Sequence, residues 1–455
     1  MRLVLSILNL KWWGALDLDF HIVLTLLLRS WSIAAGGITA ILIPIFLNPS
    51  QQGYYYTFSA VIATQVFFEL GLNHVLTQFA GHAAAHLHRV SKTKFDGAPQ
   101  WRYAIYSLIR LAAKWNAVMA TLFFFVLLIG GYCFFSDKGT LPPSQWMPAW
   151  IIVAIATAVN LALGAQLAIC EGIGEVGQVA RLRLIQSIFG YSILWFLLAR
   201  GLGLWASIAL PLSSAIGSVL WISQRRLLKS LDIIKKPEEF DDHIYGYSYR
   251  RDIFPLQWRI AASWASGYFI FSFLTPVVFA LQGEVAAGRL GLGLTIFSAI
   301  STVGISWISA KIPAFSAHIA RKERLELNAL FDRHAVHALS VTVIFVALFL
   351  LMTQIVGYYE PKVLYRLPSL PALLLLATVT IVNSIIFSMA AYMRSHKEEP
   401  LLANSVISAF LIAGGVYAMA HVGLTATVAI YAAITVFIIL PWCAWLFVQY
   451  RRRPE

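Results

Sequence analysis

Long apolar runs, separated by short polar or Gly/Pro-bearing stretches, recur along nearly the whole chain of 455 residues. Runs of about 20 residues match a helix crossing a hydrocarbon core about 30 Å thick. The pattern predicts six spans near residues 22–47, 52–82, 104–135, 148–171, 178–199 and 204–222. Six more follow near 259–281, 289–318, 327–357, 367–393, 400–420 and 424–449. Gly and Pro punctuate the connections, as in LNPSQQG, TLPPSQWMP and RLPSLP. One span breaks the pattern: QQGYYYTFSAVIATQVFFELGLNHVLTQFAGH, residues 51–82, carries Glu69 in its middle. A charge at that depth costs about 2.5–3.5 kcal/mol, so such residues usually face a cavity or a partner rather than lipid.

Composition turns these runs into a membrane assignment. With 59% hydrophobic and 12% charged residues, the chain has more apolar surface than a soluble fold of its length could hide. Spans of this length indicate helices rather than a barrel. The expected fold is therefore all-α, with about twelve transmembrane helices. The longest polar connection, residues 224–252, divides the chain into an expected N-terminal lobe (1–223), a linker (224–258) and a C-terminal lobe (259–455).

Of the 34 Lys and Arg, only Lys138, Arg200, Arg289, Lys362 and Arg366 lie on or beside connections that follow odd-numbered spans. Cytoplasmic loops retain positive charge, which places both termini in the cytoplasm. The net charge of +13 is then mostly this bias and needs no nucleic acid to explain it. No cleavable signal peptide is visible, and the first span is expected to serve as its own targeting signal. Residues 1–20 read either as an in-plane interfacial helix, with Trp12 and Trp13 at headgroup level, or as a loosely docked leader.

Several motifs look chemical and read better as structure. Cys133, Cys170 and Cys443 fall on different spans with no disulfide or metal spacing. His74, His82, His86 and His88 cluster near the inner end of span two and read as a solvated or interfacial group rather than a metal site. GIGEVG, residues 172–177, follows an apolar helix rather than a strand, and GEVAAGR, residues 283–289, lacks the Lys and Ser/Thr of a phosphate loop. The Asp17/Asp19 pair has no nucleotide-binding domain around it. No catalytic residue, metal site or cofactor is predicted. A coupling ion fits the reading, and the residues do not choose between proton and sodium. Short loops without an ATP motif are the plan of a secondary transporter.

The two halves also share sequence. VNLALGAQLAICEGIGEVGQ from Val159 aligns with VNSIIFSMAAYMRSHKEEPL from Val382 at an offset of 223, and TFSAVIA from Thr57 with IFSAISTV from Ile296 at 239. Both offsets are near half the chain, as in transporters built from parallel repeats.

With its Gly-Tyr opening and its acidic-Leu-Gly-Leu motif, the 51–82 stretch resembles Wzx-type polysaccharide flippases of the multidrug/oligosaccharidyl-lipid/polysaccharide (MOP) exporter superfamily. The segments AAGRLGLGLTIFSAIS and AKIPAFSAHIARKE look like that family's second lobe. The resemblance implies two pseudo-symmetric six-helix lobes around a central cavity, in a bacterial cytoplasmic (inner) membrane. It implies an isoprenoid-diphosphate-linked glycan as substrate, moved outward for surface polysaccharide assembly, with membrane lipid and polysaccharide polymerase machinery as partners.

Such a ligand calls for a cationic cavity. Arg29, Glu69, Arg110, Lys114, Lys311 and Arg333 are the candidate cavity residues. Arg forks onto phosphate and Lys offers a point charge. Snorkelling to the inner interface is the competing account, favoured for Arg181, Arg183 and Arg333. Lys311, two residues before Pro313, is expected to bind diphosphate from lobe two, and Glu69 is expected at a depth that permits pairing with Arg29. The GYYYTF tyrosines are expected as interfacial anchors. Two other readings stand beside the flippase. A cation-coupled exporter of the same superfamily would carry more intramembrane acid, and a membrane-embedded glycan-processing enzyme would need converging carboxylates.

Overall fold

The computed structural model describes residues 20–89, 95–224, 247–359, 364–396 and 398–452. The leader with Trp12, Trp13, Asp17 and Asp19, and most of the linker, including Lys235, lie outside the described residues.

Nine helical stretches are long and apolar enough to cross a membrane, and two bent helix pairs do so as broken spans. One stretch, Pro143–Ala199, runs 57 residues, and at 1.5 Å per residue far exceeds the hydrocarbon thickness. Gly174, with φ of 93°, breaks it into two. The described residues thus hold twelve spans. Lobe one comprises α1 (Phe20–Phe46), α2 (Pro49–Glu69 and Leu72–Ala84), α3 (Pro99–Lys138), α4 (Pro143–Cys170), α5 (Val176–Ala199) and α6 (Ala209–Gln224). Lobe two comprises α7 (Tyr249–Phe271 and Leu274–Gln282), α8 (Glu284–Ser309 and Ile312–Ala320), α9 (Arg324–Tyr359), α10 (Leu370–Arg394), α11 (Leu402–Ala420) and α12 (Leu424–Arg452).

The lobes repeat one packing scheme. α1 packs on α5, α2 and α3 pack on α4, and α6 packs on both α4 and α5. Six spans later α7 packs on α11, α8 and α9 on α10, and α12 on α10 and α11. The short sequence repeat sits inside this scheme. Asn160 of α4 donates to the Pro211 carbonyl of α6 at 2.9 Å, and its counterpart Asn383 of α10 reaches Tyr431 of α12.

Large apolar side chains such as Phe189, Phe410 and Phe437 face outward, as a lipid solvent requires. The largest buried cluster runs through both lobes, with Tyr54, Phe58, Phe135, Trp146, Trp150 and Phe279 among its bulkiest members. Residues 20 and 452 lie at one end of the bundle, the terminal face, and the opposite end is the distal face. A hairpin of β1 (Leu87–Arg89) and β2 (Phe95–Gly97) joins α2 to α3 at the terminal face, where the sequence reading has only a polar loop.

Span two is not straight. Leu70 and Gly71 both take left-handed backbone, with φ of 49° and 67°, and α2 bends there by 47°. The acidic-Leu-Gly-Leu motif is thus a helix break. A side chain at position 71 would strain the backbone and run into Ile260 of α7, so glycine is required twice over.

Candidate transport cavity between the lobes

Thr295, Ser298, Thr302, Ile305 and Ser309 recur along α8 at three- and four-residue spacing, which puts them on one face of the helix. That face looks across the lobe boundary at α1 and α5. Arg29, Ser32 and Gly36 of α1, with Arg183 and Ser187 of α5, complete a cavity of about 800 Å³. No carboxylate is among its lining residues.

Ser298 also lines two adjoining cavities. One, about 330 Å³, lies among α2, α7 and α8 and includes Ser59, the repeat partner of Ser298. The other, about 310 Å³, lies within lobe two and adds Phe271, Thr380, Asn383, Phe387 and Tyr431. Asn383 and Phe387 lead on to a fourth cavity of about 480 Å³ lined by Arg259, Arg394 and His74. The charge is therefore at the flanks and the middle is hydroxyl and aromatic.

Arg183 Nη1 lies 2.9 Å from Glu171 Oε1, and Arg394 Nε lies 3.2 Å from Glu399 Oε2. Among the described residues, neither Arg29 nor Arg259 has a carboxylate at ion-pair distance. Arg29 and Arg183 thus line one space, the first without a carboxylate in reach and the second sharing Nη1 with Glu171, and the guanidinium groups are suited to forked recognition of phosphate oxygens.

The structure distributes the sequence candidates unevenly. Arg29 lines the large cavity. Arg110, Lys114 and Arg333 are exposed and line none of the four cavities. Lys311 takes the N-cap position of the second half of α8 without a side-chain capping bond, lines none of the four cavities, and is near enough to His334 of α9 to act on it electrostatically. Arg183, read from sequence as snorkelling, also lines this cavity. Arg259 and Arg394 were hidden by the positive-inside bias of the segments that contain them, WRIAASW and YMRSHKEE.

Two expectations are corrected. Glu69 and Arg29 do not pair, because α1 packs on α5 while the first half of α2 packs on α8, so acid and guanidinium meet different neighbours. The side-chain amides of Gln65 and Asn73 approach the Glu69 carboxylate instead. The tyrosines of GYYYTF are not headgroup anchors. Tyr54, Tyr55 and Tyr56 are buried, and Tyr54 stacks on Phe135 and meets the edge of Phe279 from the other lobe.

At the distal face the lobes are closed against each other. Glu284, buried at the start of α8, accepts hydrogen bonds from Ser50 Oγ at 3.1 Å and from Thr140 Oγ1, both in lobe one. Gln52 Nε2 donates to the Gly288 carbonyl at 2.8 Å, and Arg366 Nη2 to the Leu47 carbonyl at 2.8 Å. Burial pushes the Arg366 guanidinium below its ordinary value. Gly53, Gly288 and Gly291 let α2 and α8 approach backbone to backbone. A Cβ on Gly53 would enter the Glu284 carbonyl, and one on Gly291 would enter the Tyr56 ring.

No protein-family model and no curated protein sequence matches the chain. Solved structures do. A multidrug resistance MATE family transporter of the MOP superfamily, in an inward-facing conformation, aligns with a TM-score of 0.64 at 14% identity over 93% of this chain and 96% of that one. An outward-facing MATE transporter aligns at 0.50, also at 14% identity, over 95% of each chain. The lipid II flippase MurJ, inward closed, aligns at 0.55 and 14% identity over 94% of this chain and 87% of its own. The fold is therefore that of MOP-superfamily transporters, two six-helix lobes around a central cavity, and the chain is a multi-pass membrane protein.

Proposed function

We propose that the protein is a secondary transporter, a flippase that carries an isoprenoid-diphosphate-linked oligosaccharide across a bacterial cytoplasmic membrane by alternating access, for surface polysaccharide assembly. The observation that carries this reading is the cavity shared by Arg29, Arg183 and the α8 hydroxyl stripe, whose lining holds two guanidinium groups, one of them paired with Glu171 behind the lining, and no carboxylate. A diphosphate needs the guanidinium groups, and a glycan needs the hydroxyl and aromatic surface of Ser298, Thr302, Asn383 and Phe387. The sealed distal face and the higher similarity to an inward-facing transporter support a state open toward the terminal face. That face is assigned to the cytoplasm by the Lys and Arg bias. The nascent precursor would enter from there, and polymerase machinery would receive it outside. Labelling of a Lys235→Cys variant from outside intact cells would reverse this orientation.

The test is flipping by the purified protein in liposomes. Arg29→Ala and Arg183→Ala are each expected to slow transfer of a lipid-diphosphate oligosaccharide about 10- to 100-fold, the equivalent of a lost charge-assisted contact. Wild-type rates in the double variant would refute the reading. The cation-coupled exporter is the second reading, supported by the likeness to MATE transporters. It predicts movement of lipophilic cations and none of the oligosaccharide.

A further inference from the structure

Lys311 and Arg333, the two sequence candidates of lobe two, line none of the four cavities, yet the fold brings them together elsewhere. Lys311 sits at the interruption of α8, and Arg333 and His337 lie one turn apart on α9. All three are within electrostatic reach of His334. The rings of His334 and His337 are 5.7 Å apart, and the indole of Trp307, one turn before Lys311 on α8, meets His337 at 5.8 Å. Among the described residues, neither Lys311 nor Arg333 has a carboxylate at ion-pair distance. Of the acids near them in the chain, Asp332 is held by Arg451 through both oxygens at 3.0 and 2.9 Å, and Glu323 by His318 at 2.7 Å. Glu326 lies two turns from Arg333 toward the terminal face. His334 keeps a buried Nδ1 with no hydrogen-bond partner.

The depth of this group identifies what can reach it. From His337 to Tyr359, α9 rises about 33 Å at 1.5 Å per residue, close to the thickness of the hydrocarbon core. Exposed Tyr358 and Tyr359 end that interval at the distal face, and Trp307 with the cations ends it at the terminal face, the level of lipid headgroups. The face of α9 that carries His337 continues into Ile344 and Leu351, both exposed as lipid contacts are. Like charges gathered without a counter-charge repel one another, and an anion at this level relieves the repulsion. We infer that the groove between α8 and α9 binds the phosphate of an anionic phospholipid in the terminal-face leaflet. Lys311 and Arg333 meet its oxygens, and Trp307 and Ile344 lie along its glycerol and acyl region. Basic pockets between spans on the cytoplasmic side are suited to such headgroups. A phosphate shared by Lys311 and Arg333 also ties the interruption of α8 to α9. The site lies apart from the transport cavity, and its occupancy does not depend on the flippase reading.

The test is native mass spectrometry of the purified, delipidated full chain titrated with phosphatidylglycerol, phosphatidylcholine or soluble glycerol phosphate. Wild type should bind phosphatidylglycerol saturably, about 10- to 30-fold more tightly than either of the others. Lys311→Ala and Arg333→Ala should each weaken that binding about fivefold, and together about 25-fold. Arg321→Ala, which removes an exposed cation of the same face outside the cluster, should leave it unchanged. Gel filtration establishes folding of each variant, and Arg333→Ala, at an exposed position, carries the test if Lys311→Ala does not fold. Equal affinity for the two phospholipids, undiminished binding in a folded Lys311→Ala or Arg333→Ala, or an equal loss in Arg321→Ala overturns the site. Glycerol phosphate bound as tightly as phosphatidylglycerol would make this a site for a soluble anion and refute the lipid.

Discussion

α2 and α8 occupy equivalent places in the two lobes, and both are interrupted, yet by different chemistry. At the offset of 239 that aligns Thr57 with Ile296, Gly71 falls on Ala310, within the interruption that separates Ser309 from Ile312 in α8. α2 breaks by two consecutive left-handed residues and turns by 47°. α8 passes its interruption as one span, with Lys311 in right-handed backbone and Pro313 removing a single donor. The position of the break belongs to the architecture, whereas its sharpness and its charge are set locally, with Glu69 before the bend in α2 and Lys311 within the interruption of α8.

The sharpest way to break this comparison is at the bend itself. Gly71→Ala meets a left-handed penalty of about 1–2 kcal/mol and a clash with Ile260 worth about 1–3 kcal/mol. Ala310→Gly in α8 should cost only about 0.5–1 kcal/mol. Denaturant unfolding of the two variants in detergent compares them directly, and equal losses would mean the two breaks are built alike. Next comes the seam where the same helices meet. Gly288→Ala puts a methyl 2.8 Å from the Gly53 nitrogen, and should favour the opened distal face by about 1–3 kcal/mol. Faster labelling of a Ser59→Cys probe from the distal side would register that shift, and unchanged labelling would remove the seam from gating. Glu284→Gln weakens what Ser50 and Thr140 donate to and should act in the same assay by about 1 kcal/mol. The smallest effect is expected at Lys311→Ala, within about 0.5 kcal/mol of wild-type stability. Export comparable to wild type would separate this residue from Arg29, and a loss as deep as that of Arg29→Ala would join the two in one site.

The number and order of spans were readable because hydropathy is a property of consecutive residues. The bend in α2 was not, since a single glycine among apolar residues is tolerated in many straight helices. Its necessity arises from Ile260, nearly 190 positions away. The three tyrosines misled for a related reason: an aromatic cluster at a span end matches a headgroup belt, and only the second lobe folded over it makes it core. Arg183 was placed at the interface because depth can be counted along a helix while its rotation cannot. Beside Arg29, the hydroxyl spacing on α8, legible from Thr295 to Ser309, was the sequence signal for the cavity wall, and the other basic residues drew attention away from it.

The glycines of the distal seam also bear on kinetics. Side chains that interlock must each settle into one rotamer whenever a gate shuts, at up to about 2 kcal/mol for the longest of them. Gly53, Gly288 and Gly291 have none to settle, and at these positions α2 and α8 meet with no side chain of their own between them, beside the polar side chains that hold the rest of the seam. In the proposed transport cycle, closing of the distal face would order few side chains at these glycines, and the return half of that cycle is the half the seam would speed.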